Sequence, residues 1–424
     1  MTDDRTYPGA PRLFEAKAAH EQKIITYESD GTAIILPPGE TIPIRIPRER
    51  QFDLTQATIF GLNERLTASA SSPMIEAGKT LRELFNDEWA SYDDALEAAE
   101  GPALPYGVYA WYPRRNELVR FCPEFWHRIV ATASTSMLFA DPKGTLSWRE
   151  VRERLESMTI GIAGASVGNN IAHAVAMDVR PRALRLADKS RYKMENINRV
   201  RLSYADLVES DTHRKDATEN LLRNKSEVTA EQIATIDPFM KIEAFPEGLA
   251  KENIDRFFGG NGIPALDLVI EEVDDPRIKL FIREEARKRK IPVLMVSDLG
   301  SSVQLDVHRY DLDANLGLSH SASDEDLRAA MELVYDHPGD RGAFFAFVDL
   351  LIGSDYREGQ LGKIIDQKTE IPTSTIIPQM GSTAMVAAGI MSEAVGNIRL
   401  GHAYPDRVFF NKRTFTITET GKIR

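Results

Sequence analysis

The chain has 424 residues, 42% of them hydrophobic and 27% charged, and this composition is typical of a soluble globular protein with a sizeable core. Its length predicts two domains, or one large domain with insertions. A formal net charge of −12 without a dense basic segment argues against nucleic acid as a partner, and no apolar stretch is long enough to predict a membrane span.

The start of the chain and its cysteine content bear on the compartment. The opening residues, MTDDRTYPGAPRLF, lack the basic and apolar segments of a signal peptide. Cys122 is the single cysteine, so the chain can form neither an intrachain disulfide nor a cysteine-rich zinc site. We therefore expect a cytoplasmic location, with Cys122 as a buried structural thiol.

Residues 1–124 are predicted to form a separate α+β domain of unknown role. Two β-like apolar runs flank Pro-Pro-Gly within residues 32–47, and helix formers dominate residues 53–100. Residues 108–122 have the pattern of a hairpin, with its turn near residues 113–116. This part of the chain contains no recognisable catalytic motif.

The second predicted domain, residues 125–424, begins its nucleotide-binding unit at residue 159. An apolar strand over residues 159–163 meets a small-residue turn, and a helix and a second strand over residues 183–187 follow. The second strand ends at Asp188. Strand, tight turn, helix, strand and carboxylate form the first unit of a Rossmann-type nucleotide-binding sheet.

The rest of this domain alternates strands with helices before the pattern changes. The alternation comprises a helix over residues 213–224, strands over 240–245, 266–270 and 291–297, and a helix over 276–289. A helical insertion follows over about residues 311–372, then one long helix over 376–400 and an antiparallel hairpin over 407–418. We predict an α/β fold with a doubly wound, mostly parallel Rossmann-type sheet, an N-terminal α+β domain and a helical insertion.

The small-residue turn is by itself a weak indicator of a ligand. Dinucleotide sites place glycine at the first, third and sixth positions of this turn, and here those residues are Gly164, Ser166 and Asn169. Gly168 lies one position early. The serine disfavours close approach of a pyrophosphate, but the helix N-terminus still offers N–H groups to a phosphate. Gly164, Ser166 and Gly168 are therefore candidate phosphate contacts, and a turn without a ligand stays open.

Polar residues after the turn favour a triphosphate. Asp188 follows the turn at about the 20-residue spacing at which an acid meets ribose hydroxyls. Asn196 and Arg199 come next, then Lys215 on a predicted helix, and Asp274 follows the strand that ends at residue 270. An asparagine, an arginine and a lysine at one pocket can hold phosphates, and an acid at a strand end can hold Mg²⁺. NAD(P) chemistry does not need this set.

This order of motifs resembles the ThiF/MoeB-type adenylyltransferases, whose catalytic core is shared with ubiquitin-activating enzymes. The segments that carry the resemblance are the glycine turn, LADKSRYKMENINR, the lysine and DLVIEEVDD, within roughly residues 128–400 outside the insertion. The resemblance implies that Asp188 binds the ribose and that Asn196 and Arg199 bind phosphates. It likewise implies that Lys215 is the helix lysine, that Asp274 binds Mg²⁺, and that the protein is a homodimer.

Several positions depart from the family pattern. No cysteine follows Asp274, although relatives that pass an acyl group to a thiolate have one there. Ser190 stands where many relatives have a second aspartate, and Arg128 is a weak match for an arginine that some relatives supply from a partner subunit. The resemblance therefore implies ATP- and Mg²⁺-dependent adenylation of a carboxylate, with release of pyrophosphate and no thioester on this chain. The substrate is expected to be the C-terminus of a ubiquitin-like protein or peptide, or a small acid.

Two other functions stay open at this point. The first is an NAD(P)- or ATP-dependent dehydratase or oxidoreductase module on the same fold. The second is a non-catalytic Rossmann scaffold, which the altered turn leaves possible. His308, His320 and His337 lack metal-ligand spacing, and we expect them to be structural or solvent-facing.

Overall fold

The computed structural model describes residues 7–67, 86–100, 106–139, 145–208, 222–353 and 379–424. The chain divides into two compact units, Met1–Glu153 with Ile233–Met240, and Arg154–Gln232 with Lys241–Arg424. The domain boundary predicted at residue 124 stays a prediction. Within the described ranges, no helix has both the length and the apolar character needed to cross a membrane.

The first unit contains two small sheets. Its strands are β1 (Arg12–Glu15), β2 (Ile25–Tyr27), β3 (Ala33–Ile35), β4 (Ile44–Ile46), β5 (Gln51–Asp53), β6 (Val108–Tyr112) and β7 (Glu117–Phe121). Its helices include α1 (Ala16–Glu21), α2 (Thr55–Thr67), α3 (Asn86–Glu100) and α4 (Glu124–Leu138), and α5 (Trp148–Glu156) begins in it. One sheet has the order β1-β6-β7-β5 and the other β2-β3-β4. The predicted hairpin is confirmed, because β6 and β7 pair antiparallel.

Cys122 lies in the core of the first unit, as predicted. It packs with Ile59, Tyr92 and Trp126 and is fully buried. Its Sγ–H donates to the Thr55 carbonyl at 3.7 Å. Burial raises the pKa of Cys122 to about 12, so the thiol stays protonated near neutral pH and is a poor nucleophile.

The second unit is built on one eight-stranded sheet. Its strands are β8 (Thr159–Ala163), β9 (Ala183–Ala187), β10 (Lys241–Phe245), β11 (Leu268–Glu271), β12 (Val293–Leu299), β13 (Ser302–His308), β14 (Pro405–Asn411) and β15 (Thr416–Ile423). Their order is β10-β9-β8-β11-β12-β13-β14-β15. The first five strands are parallel and the last three antiparallel, which confirms the predicted α/β class and the closing hairpin.

Helices connect the parallel strands of this sheet. They include α6 (Val167–Asp178), α7 (Tyr204–Leu207), α8 (Lys225–Ile236), α9 (Ile254–Phe258), α10 (Pro276–Arg289), α11 (Asp324–Asp336), α12 (Arg341–Ile352) and α13 (Gly381–Arg399). A 3₁₀ turn over Met194–Asn198 follows β9. Helices α11 and α12 lie within the predicted helical insertion, whose residues 354–372 are outside the described ranges. Helix α13 lies within the helix predicted over residues 376–400, of which residues 376–378 are not described.

The helix predicted over residues 213–224 is wrong where the structure describes it. Leu222 and Asn224 form isolated β-bridges, and residues 213–221 lie outside the described ranges. Helix α8 begins only at Lys225, because the Asn224 side chain accepts from the Ser226 backbone amide at 2.8 Å and caps the helix. Strand β13 was not predicted.

The strand order places a ligand crevice between β8 and β11. All five residues of β8 are buried, as expected for a central parallel strand that is covered on both faces. The chain runs from β8 outward to β10 and then crosses back to β11 on the other side of β8. Ligands bind at such a switch point, outside the carboxyl ends of the strands.

Candidate functional site

A cavity of about 250 Å³ lies at the carboxyl ends of β8, β9, β10 and β11. Its wall combines aliphatic side chains with charged groups of both signs. The lining residues are Gly164, Ser166, Ala187, Asp188, Lys189, Ser190, Lys225, Gly248, Leu249, Glu272, Val273, Asp274, Asp275 and Ile278. The structure therefore brings Gly164, Ser166, Asp188 and Asp274, all predicted as site residues, to one cavity.

The two glycines of the turn act through close packing. Gly164 has a φ of +93°, and a Cβ there would lie 2.4 Å from the Glu272 carbonyl oxygen, so no side chain fits. A Cβ on Gly168 would lie 3.2 Å from Ile162 Cγ2, which shows how closely α6 approaches β8. The N-terminus of α6 consequently lies directly behind the cavity, where its free N–H groups favour an anion.

Backbone amides fix the orientation of the Asp188 carboxylate. Oδ2 accepts from the Ala165 amide at 2.8 Å, and Oδ1 accepts from the Ser190 amide at 2.7 Å. Each carboxylate oxygen keeps a further acceptor site, so the group can still accept hydroxyl donors from the cavity. The Ser190 contribution comes from its backbone, which explains why an aspartate at that position is not required for this contact.

The first turn of α6 positions Arg199, which follows the 3₁₀ turn. Arg199 Nε donates to Ser166 Oγ at 3.2 Å, and Asn170 Nδ2 donates to the Arg199 carbonyl at 2.6 Å. Arg199 Nη1 also donates to Asn198 Oδ1 at 3.0 Å. Burial lowers the pKa of Arg199 from its ordinary value and the Asp274 carboxylate opposes this, but an arginine keeps its charge in proteins.

Two further buried asparagines, Asn169 and Asn196, hold the backbone and a neighbouring helix. Asn169 Nδ2 donates to Thr229 Oγ1 at 2.9 Å and to Gln232 Oε1 at 2.8 Å, both on α8. Asn196 Oδ1 accepts from the Lys193 amide at 2.8 Å and so caps the 3₁₀ turn. Asn196 does not line the cavity. Its predicted contact with phosphates stays a prediction.

Two lysines line the cavity, Lys189 and Lys225, and sequence reasoning singled out neither of them. Lys189 Nζ lies 4.0 Å from Asp275 Oδ2, so its charge is shared with that carboxylate. The predicted Lys215 lies outside the described residues. Lys225 is the first residue of α8, and its Nζ lies 5.9 Å from the centroid of the Tyr192 ring. Tyr192 is fully buried and donates to the Ala165 carbonyl at 2.8 Å. The available signal was Asn224, an N-cap residue directly before Lys225.

The acidic rim of the cavity follows β11. Asp275 caps α10, because its Oδ1 accepts from the amides of Arg277 and Ile278 at 3.1 and 3.3 Å. The neighbouring Asp274 is exposed and has no hydrogen-bond or ion-pair partner among the described residues. Within the same ranges, no three His, Cys, Asp or Glu side chains are grouped as metal ligands. Asp274 could hold Mg²⁺ together with phosphates and water.

Two adjacent glutamates at the end of β11 have different surroundings. Glu271 is fully buried and accepts from Lys279 Nζ at 2.7 Å and from Arg283 Nε at 3.2 Å. Glu272 lines the cavity and accepts from the Val296 amide at 2.8 Å. Burial raises the pKa of Glu272 well above its ordinary value, so this carboxyl favours the neutral form.

Other residues singled out from the sequence are not among those that line the cavity. Arg128 is buried in the first unit, and its Nε lies 3.1 Å from Asp237. His308 and His320 stack in the second unit with ring centroids 4.0 Å apart, and burial lowers the pKa of both. His337 is exposed at the end of α11. These positions agree with structural or solvent-facing histidines.

Fold and cavity together define a Rossmann-type nucleotide-binding fold. The ThiF family model matches residues 144–420, more than half of the chain, and the chain therefore belongs to the ThiF family. The resemblance inferred from the motifs is confirmed.

The relatives of the chain are distant. "Uncharacterized protein MT1398" of Mycobacterium tuberculosis is 30% identical over 213 residues, 50% of this chain and 26% of that protein. The chain thus spans about a quarter of that relative's length. PaaA matches with a TM-score of 0.47 and 16% identity over 69% of this chain and 82% of PaaA. Escherichia coli MccB, solved with ATP, matches with a TM-score of 0.45 and 10% identity over 99% of this chain and 97% of MccB.

Proposed function

We propose that the chain uses ATP and Mg²⁺ to adenylate a carboxylate, with release of pyrophosphate. The observation that carries this proposal is the position of Arg199, which the Ser166 hydroxyl of the glycine turn holds beside a cavity already lined by Asp188, Lys225 and Asp274. An arginine, a lysine and an uncommitted carboxylate around a helix N-terminus suit a triphosphate with its metal.

The cavity offers a separate place to each part of the nucleotide. The aliphatic side chains of Leu249, Val273 and Ile278 suit the base, and the free acceptor sites of Asp188 suit the ribose hydroxyls. The phosphates would then extend toward the N-terminus of α6, where Lys225 and Arg199 supply positive charge. In this arrangement Lys225 contacts a phosphate, and Asp188 accepts hydrogen bonds from the ribose hydroxyls.

Asp274 fits the role of magnesium ligand. Mg²⁺ usually binds through one or two carboxylates together with substrate phosphates and water, and Asp274 is exposed at the cavity rim. The bound ion would offset the negative charge of the triphosphate and of the departing pyrophosphate.

The proposed reaction joins two anions. A substrate carboxylate oxygen attacks the α-phosphorus, the bond from that phosphorus to the bridging oxygen breaks, and its electron pair leaves with pyrophosphate. Arg199 and Lys225 lower the repulsion between the carboxylate and the triphosphate by holding the phosphates in place. A carboxylate is ionised near neutral pH, so the step needs no general base.

The chain offers no reactive cysteine as acceptor for the activated acyl group. Cys122, its single cysteine, is buried and its raised pKa keeps it protonated. We therefore propose that another nucleophile takes the acyl group and that no thioester forms on this chain. A ubiquitin-like or peptide C-terminus and a small acid are the candidate substrates, and a cytoplasmic homodimer stays a prediction.

The direct test is ATP–pyrophosphate exchange with the full chain, magnesium and a panel of carboxylates. We expect exchange that depends on both the carboxylate and magnesium, and a loss of at least about tenfold in Arg199→Ala and Asp274→Ala. Lys251→Ala and Asp336→Asn, at exposed positions outside the cavity, are the matched controls. Unchanged exchange in both site variants, or no binding of ATP, would overturn the proposal.

A further inference from the structure

A second polar cluster lies at the end of β12, the strand that pairs with β11. Its central residue is Asp298, whose two carboxylate oxygens are buried. The Gly300 amide lies close to the carboxylate, and beyond that neither oxygen has a hydrogen-bond partner among the described residues. A buried acceptor without a donor is costly, so this carboxylate is suited to receive a donor from a ligand.

Two cations lie near Asp298 without forming an ion pair with it in the described part of the chain. One is Arg199, whose neighbour Asn198 packs against the start of α13, where a Cβ on Gly381 would lie 2.5 Å from the Asn198 carbonyl oxygen. The other is Lys412, in the turn between β14 and β15, whose backbone amide donates to the Ser301 carbonyl at 3.2 Å. Lys412 Nζ donates to Ser382 Oγ at 2.5 Å and to Thr383 Oγ1 at 3.0 Å, in the first turn of α13. Both of these acceptors are neutral hydroxyls, so the ammonium keeps its attraction for an anion.

Arg199 connects this cluster to the nucleotide cavity. Its Nε donates at 3.2 Å to Oγ of Ser166, a residue of the cavity wall, and its charge acts on both Asp274 and Asp298. A group bound between Arg199 and Lys412 would therefore lie next to the phosphates that Arg199 is proposed to hold. That is the position a carboxylate needs in order to attack the α-phosphorus.

On the basis of the proposed adenylation, we propose that Asp298, Arg199 and Lys412 form the subsite for the acyl substrate. The two cations hold the reacting carboxylate, and Asp298 accepts the last amide N–H of a peptide C-terminus. A neutral N–H suits the site better than an ammonium, because an ammonium would be repelled by both cations. A simple acid without an N–H would leave Asp298 unpaired. Asp298 is thus the residue that selects the substrate class.

The experiment removes the single N–H from the substrate. Exchange is measured with tripeptides Ala-Ala-X that end in each of the twenty residues, and with depsipeptides in which an ester oxygen replaces the last amide N–H. Butyrate and pyruvate serve as simple acids. The proteins are the wild type, Asp298→Ala, Asp298→Asn and the exposed control Asp336→Asn. Binding of ATP is measured separately by isothermal titration.

We expect the wild type and Asp336→Asn to use the best peptide at least about tenfold better than its depsipeptide, the range for a hydrogen bond to a charged group. Asp298→Ala should lose this preference through a raised KM for the peptide and bind ATP normally. Asp298→Asn should keep part of the preference for the peptide, since its side-chain carbonyl can accept the amide hydrogen bond.

The proposed subsite would be overturned by equal use of peptide and depsipeptide, by a preference that survives in Asp298→Ala, or by exchange with simple acids alone. Normal binding of ATP together with no exchange for any tripeptide would also overturn it. Failure of ATP to bind would instead overturn the proposed function.

Discussion

The hydroxyl of Ser166 accepts a hydrogen bond from Nε of Arg199 at 3.2 Å, and this contact joins the glycine turn to the arginine that follows the 3₁₀ turn. A glycine at position 166 would leave Nε without this acceptor. Asn170, also in the first turn of α6, binds the Arg199 carbonyl. The altered turn therefore disfavours close approach of a pyrophosphate, and its serine instead holds Arg199 against a residue that lines the cavity.

Removal of the Ser166 hydroxyl tests this relationship. Ser166→Ala should reduce ATP–pyrophosphate exchange by roughly tenfold, because a hydrogen bond from a charged group contributes about 1.5–3 kcal/mol. The melting temperature should change little, since a small neutral side chain replaces another at the edge of the cavity. Exchange kinetics and thermal unfolding check both points, with Thr418→Ala on β15 as the exposed control. Unchanged exchange would show that Arg199 needs no hydroxyl to keep its position.

Much of the second unit follows from the sequence because its signals are local. Two short apolar runs predict the strands β8 and β9, and small residues predict the turn that follows β8. Asp188 directly follows the second run. The structure places Asp188 and Asp274 at one cavity because parallel strands present their carboxyl ends on the same edge. The strand order therefore brings residues that are distant in the sequence together at one cavity.

The features that the sequence did not predict depend on contacts distant along the chain. Lys225 was missed because residues 213–224 contain helix formers, whereas the observed helix start is set by the Asn224 cap. Asp298 carries no motif, and its role is visible only once β12 lies beside β11 and Lys412 arrives from the β14–β15 turn. The contact of Ser166 with Arg199 carries no sequence signal, because the two residues are 33 positions apart.

The two lysines can be separated by substitution. Lys225→Ala should weaken ATP binding by about tenfold or more, because the ammonium lies at the cavity and a phosphate contact of this kind is charge-assisted. Lys215→Ala tests the residue expected from the sequence, and Lys251→Ala is the exposed control. Isothermal titration with ATP is the measurement. A larger loss in Lys215→Ala than in Lys225→Ala would contradict the assignment of the cavity lysine.

The buried ion network on β11 should contribute strongly to stability. Glu271 accepts from both Lys279 and Arg283, which attach α10 to the sheet. Glu271→Gln removes the negative charge and leaves two cations buried without it, so we expect a loss of about 3–5 kcal/mol in the free energy of unfolding. Urea denaturation measures this loss, and Glu332→Gln, an exposed ion-pair residue on α11, should cost less than about 1 kcal/mol. A similar small change in both variants would contradict the assigned importance of the network.

The charge state of Asp298 should make stability depend on pH. Burial raises the pKa of Asp298 to about 7, although the Gly300 amide, Lys412 and Arg199 each oppose the rise. The folded state thus binds this proton at higher pH than the unfolded chain, whose aspartates have a pKa of about 3.9. The resulting stabilisation is complete below that unfolded value and is lost as the pH rises toward 7.

The side chain of Asp298→Asn cannot ionise. The melting temperature of this variant minus that of the wild type should therefore rise between pH 5 and 7 and stay constant above pH 7. Thermal unfolding at pH 5, 6, 7 and 8 measures the difference, with Asp336→Asn as the exposed control. A difference between Asp298→Asn and the wild type that does not change with pH would show that Asp298 is ionised throughout this range.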